Sequence, residues 1–126
     1  MKNSKINASF ESGILTIKFA DGASLNVSDL KEMYAFGEKE SKGQAYCILF
    51  EALGHYETSE EAIEFLSDNS GRNILAKAYV INRKETEIKT KLHLLFDAPS
   101  IIPQTFATEK EGRMYLLNLL EKNQTH

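Results

Sequence analysis

A single cysteine in 126 residues excludes an internal disulfide, and only two prolines interrupt the chain, so neither a stapled scaffold nor a proline-rich linker is in prospect. The seven glycines are scattered, and none forms a Rossmann or Walker fingerprint, which removes the usual warrant for nucleotide binding. Lysine and arginine number 15 against 18 aspartates and glutamates, a net charge of −3, so the basic stripe that drives counterion release from nucleic acid is missing. No apolar run approaches the ~20 residues of a membrane span. Met1-Lys2-Asn3-Ser4-Lys5 leads into a polar-interrupted segment in place of an apolar signal core, and a cytoplasmic location is expected. Histidine is scarce too: His55, His93 and His126 have no metal-site spacing, so neither a metal nor a cofactor is expected. What remains is 42% hydrophobic and 26% charged, the balance of one compact domain over residues 1–126. A chain of this size buries roughly two-thirds of its unfolded surface and can hold a core unaided.

The first third alternates. Ile6, Ala8 and Phe10 sit two apart, as do Leu15, Ile17 and Phe19, so each set lines one face of a strand, with Glu11-Ser12-Gly13 as the turn between them. Asp21-Gly22 is a hairpin dipeptide, and Ala23 to Val27 is expected to complete an antiparallel meander. Ser28 is the expected cap of a helix carrying Leu30, Met33 and Tyr34, ending near Glu40 with Lys42-Gly43 as its exit. Ala45 to Phe50 is a near-continuous apolar run of strand length, which predicts a central strand covered on both faces and carrying Cys47 into the core.

Thr58-Ser59-Glu60-Glu61 has the form of a capping box, with Thr58 as N-cap and Ala62, Ile63, Phe65 and Leu66 as the apolar face behind it. Asn69-Ser70-Gly71 closes that helix. Ile74 to Ile81 is a second buried strand, adjacent to the first, and Arg83 to Asp97 a further helix with Ile88, Leu92 and Leu95 on one face. Pro99 and Pro103 bracket an extended stretch reaching Phe106, expected to anchor an edge strand against Leu116, Leu117 or Leu120. Thr108 and Glu111 repeat the capping-box pattern before a last helix. The predicted class is therefore α/β: a single mixed sheet, an N-terminal antiparallel meander plus parallel central strands, covered by amphipathic helices.

Chemistry has few places to sit. Cys47, inside an apolar strand, reads as an inert small hydrophobe. The segment Glu51 to Glu61 joins a buried strand to a capped helix, and the carboxyl ends of strands are where open α/β sheets tend to bind ligands and partners. His55, Tyr56, Glu57, Thr58 and Ser59 are the candidate partner-binding residues there, and a polar loop with a good helix cap is the plainer reading of the same stretch. His55 with Glu57 or Ser59 offers a base and a nucleophile, but no third orienting group is evident, so no enzyme is expected.

Two stretches carry a family resemblance. One is Tyr46-Cys-Ile-Leu-Phe-Glu-Ala-Leu-Gly-His-Tyr-Glu-Thr-Ser-Glu-Glu-Ala; the other is Ile102-Pro103-Gln104-Thr105-Phe106, followed by Glu109-Lys110-Glu111 and a leucine-rich helix. Together they resemble the SpoIIAA-like branch of the STAS fold, bacterial proteins related to anti-sigma-factor antagonists and loosely to Sec14/CRAL-TRIO lipid carriers. The resemblance implies a regulatory module that binds a protein partner through the loop and helix after the central strand. It places Thr58 and Ser59 where the antagonists carry a phosphorylatable serine, and Glu57 at their acidic position. Where they have a glycine-containing turn, this chain has Glu60-Glu61-Ala62, whose charges oppose a new phosphate. The Sec14-like relation implies an alternative, a carrier of a small apolar or lipid-like ligand held between the Arg83 to Asp97 helix and the sheet. Exposed edge strands also leave room for a homodimer.

Overall fold

A computed structural model describes residues 2–52, 56–67, 73–80 and 104–124. The Asn69-Ser70-Gly71 exit, the Arg83 to Asp97 helix with its proposed lipid site, the Pro99 to Pro103 bracket and all three histidines lie outside the described residues.

Strands β1 (Ile6–Glu11) and β2 (Ile14–Phe19) pair antiparallel from Ile6 opposite Phe19 to Glu11 opposite Ile14. The two residues between them, Ser12 and Gly13, both have positive φ (54° and 79°), the backbone of a tight primed hairpin turn. After β2 the expected meander fails. Ala23 N–H donates to Ala20 C=O at 3.1 Å, closing a turn around Gly22, and the chain leaves the sheet. Strand β3 (Ala23–Leu25) then pairs in parallel with β5 (Tyr56–Thr58), forming a separate two-stranded sheet. The strand expected there is present over three residues, but its partner is β5 and the pairing is parallel.

Helix α1 (Val27–Ser41) is capped by Asn26 in place of the expected Ser28. Asp29 N–H donates to Asn26 Oδ1 at 3.0 Å and Asn26 N–H donates to Asp29 Oδ2 at 2.9 Å, a reciprocal box that leaves Ser28 exposed inside the first turn. The helix closes on Lys42 in the left-handed conformation, with Gly43 following at φ 79°, as the Lys-Gly pair predicts.

Strand β4 (Tyr46–Ala52) is central, between β2 and β6 (Ile74–Val80), both parallel to it; β7 (Gln104–Phe106) adds a further parallel edge. Helices α2 (Glu60–Ser67) and α3 (Glu109–Gln124) complete the described elements. The predicted mixed sheet, an antiparallel entry followed by parallel strands, is present, with the β3–β5 pair set beside it.

The alternation of β2 and β4 sorts the core into two layers. Leu15, Ile17, Phe19, Ile48 and Phe50 meet Leu30, Met33 and Tyr34 of α1 on one face. Ile14, Cys47 and Leu49, with Ala76, Ala78 and Val80 of β6, meet Leu116 and Leu120 of α3 on the other. Both layers need apolar cover, which is why the central strands read as continuous apolar runs. Phe106 packs at the margin of the second layer, half-buried, with its ring against Tyr115 at 5.2 Å.

Candidate functional site

Within the segment after β4, Tyr56–Thr58 is a strand and not a polar loop. Ser59 N–H donates to Leu25 C=O at 3.0 Å, extending the β3–β5 ladder by one bond, so Thr58 is held in extended backbone. The helix cap therefore falls one residue later than Thr58: Ser59 Oγ accepts from Ala62 N–H at 3.1 Å, and Glu60 is the first helical residue.

The candidate residues divide accordingly. Tyr56 is buried, its ring 5.1 Å from that of Phe19, and serves the core beneath the loop. Thr58 and Ser59 are half-buried, and Glu57, Glu60 and Glu61 are exposed around them. His55 lies outside the described residues. What the fold brings to the start of α2 is thus a capped helix end with three exposed carboxylates.

A second polar cluster sits at the carboxyl ends of β2 and β4, on the α3 side. Lys18 and Glu51 are register partners. Lys18 Nζ lies 4.0 Å from Glu51 Oε2 and 3.8 Å from Glu109 Oε2, while Arg113 Nη2 donates to Glu109 Oε1 at 2.8 Å and to Thr16 Oγ1 at 3.0 Å. The Arg113 hydrogen bond, reinforced by the charges of Lys18 and Arg113 against a smaller opposing effect of burial, holds the Glu109 carboxyl below its ordinary range. The signal available in the sequence was Lys18 and Glu51 ending two apolar strands; their meeting required the register. Two cations and two anions close on one another, which suits pinning α3 to the sheet better than holding a ligand.

At the opposite end of the sheet an open groove of about 600 Å³ runs between Phe10, Ser12, Glu40, Lys42, Leu117 and Glu121. Cys47 is fully buried, and burial pushes its thiol up to about 12, so it is protonated at neutral pH and a poor nucleophile. Among the described residues no group of three or more His, Cys, Asp or Glu side chains could hold a metal ion, and no helix is long and apolar enough to cross a membrane.

The order of elements, an antiparallel pair leading into parallel strands with α1 and α3 on opposite faces, defines an α/β domain of SpoIIAA-like fold. It is similar to an uncharacterized protein of the DUF3478 family with a SpoIIAA-like fold from Shewanella loihica PV-4, at a TM-score of 0.55 and 16% identity, over 92% of this chain and 98% of that one. The family described as "Domain of unknown function (DUF7793)" matches residues 8–120, and the chain belongs to it. No curated protein matches the chain.

Proposed function

We propose that the chain is a non-enzymatic regulatory module of STAS type that binds a protein partner through the start of α2 and the strand before it. The observation that carries this reading is the exposed carboxylate rim of Glu57, Glu60 and Glu61 around a helix end fixed by the Ser59 cap and the β3–β5 ladder. An acidic rim favours a partner with a basic surface, since complementary potentials raise the encounter rate and suppress wrong partners. Phosphorylation at Thr58 or Ser59 has weaker support. The Ser59 hydroxyl already accepts the Ala62 amide, and three carboxylates would surround an added dianion.

The test is affinity capture from cells followed by titration of the purified partner against wild type and Glu57→Gln/Glu60→Gln/Glu61→Gln. Loss of the two acids in the first helical turn costs each about 0.3–1 kcal/mol of favourable helix-end electrostatics, so the variant melts slightly lower and stays folded. Binding at least tenfold weaker, with the wild-type affinity falling as salt rises, supports the proposal. Equal binding by the two proteins, or no partner captured by the wild type, overturns it.

A further inference from the structure

Helix α3 has a flank that the described residues leave uncovered. Met114 and Leu117, exposed by 56% and 39%, are the two exposed large hydrophobic residues among those described. They stand on one stripe with Lys110 and Glu121, both also exposed. At 100° per residue these four side chains fall within about 60° of arc. Tyr115 and Leu119 turn the other way, towards the layer that holds Phe106.

The charges on this stripe are placed against the helix's own preference. Lys110 sits in the first turn of α3, where the backbone dipole favours an anion, and Glu121 sits in the last turn, where it favours a cation. An antiparallel neighbour removes the conflict. A two-fold axis passing between Met114 and Leu117 sets Met114 opposite the second copy's Leu117 and, in the same register, Lys110 opposite the second copy's Glu121. The stripe is thus complementary to itself in both apolar contact and charge. Leu117 and Glu121 also line the groove at the amino end of the sheet, so the second copy's Met114, seated against Leu117, meets an open recess.

We propose that this stripe is the interface of an isologous dimer in which α3 packs antiparallel on α3 of a second copy. The surface lies on a different helix from the carboxylate rim of α2, so the dimer and the partner-binding reading stand or fall separately.

The test uses the full chain and sedimentation velocity over a concentration series. Lys110→Glu puts like charges at both ends of the dimer, and so does Glu121→Lys; each substitution also improves the match to the helix dipole, so neither weakens the fold. Each single variant is expected to raise the dimer dissociation constant at least tenfold. The double variant Lys110→Glu/Glu121→Lys restores it, and an equimolar mixture of the two single variants forms a heterodimer, because every facing pair is then of opposite sign. Thermal melts at a concentration where all are monomeric check that the variants are folded. A wild type that stays monomeric up to its solubility limit overturns the proposal, as does a dimer that the single charge reversals leave unchanged.

Discussion

Arg113 donates from Nη2 to Thr16 Oγ1 at 3.0 Å, joining the final helix to the second strand across 97 residues of sequence. The same nitrogen holds Glu109 Oε1 at 2.8 Å, one turn earlier on α3, so a single guanidinium ties the helix start to the sheet.

This arrangement makes stability sensitive to acid. The folded carboxyl of Glu109 titrates below its ordinary value of 4.5, chiefly through the Arg113 hydrogen bond. Its contribution is therefore fully present above that ordinary value and is lost as pH falls through the lower, folded one. Urea denaturation of wild type and Glu109→Gln should give a stability difference that is constant near neutral pH and shrinks below the ordinary Glu range. A difference independent of pH would show that Glu109 acts only by packing. Thr16→Val, which keeps the shape and removes the acceptor, should cost about 0.5–1.5 kcal/mol at neutral pH.

Gly37 lies inside α1, where alanine would ordinarily be worth up to about 1 kcal/mol more than glycine. Here a Cβ would stand 2.7 Å from Leu15 Cδ2 and 3.2 Å from Tyr46 Oη, with both residues fully buried. Forcing a side chain into such a core typically costs about 1–3 kcal/mol. Gly37→Ala should therefore be destabilising by about 0.5–2 kcal/mol net, read as a lower denaturation midpoint. A raised midpoint would mean that Leu15 repacks freely.

The contrast between what the sequence disclosed and what it withheld follows from the range of the interactions. β1, β2, β4 and β6 were legible because each buried face imposes its own period or a continuous apolar run. The Thr108 cap was legible because hydroxyl and glutamate stand three apart, and Thr108 Oγ1 does accept from Glu111 N–H at 3.2 Å. Asn26 was missed because its partner is aspartate, a shorter relative of the residue sought. The strand at Ala23 was expected but its parallel partner was not, and β5 was missed altogether, because each is three residues long and pairs with a segment some thirty residues away. The candidate site shared that fate. Its candidate residues were named from the sequence, but which hydroxyl caps α2 and whether Tyr56 is buried depended on the β3–β5 ladder. Tyr56 was named as a candidate partner-binding residue, but its strand turns the ring onto Phe19 and into the core.

The cap of α2 offers the sharpest test of that ladder. Two hydroxyls stand side by side, and local sequence favours Thr58, since Glu61 follows it by three. The pairing of Thr58 with Leu25 in extended backbone moves the helix start to Glu60, and Ser59 Oγ takes the Ala62 amide. Ser59→Ala removes the acceptor and leaves that amide without its partner, at an expected cost of about 0.5–2 kcal/mol. Thr58→Ala alters a strand side chain and leaves the Ser59 acceptor in place. Ser59→Asp supplies a carboxylate acceptor at the same N-cap position, where an anion suits the helix dipole, and should recover most of what Ser59→Ala loses. Thermal midpoints of the three variants give the order directly. If Ser59→Ala left the midpoint unchanged, Ser59 would not cap α2, and the β3–β5 ladder that holds the carboxylate rim in place would not set the helix start at Glu60.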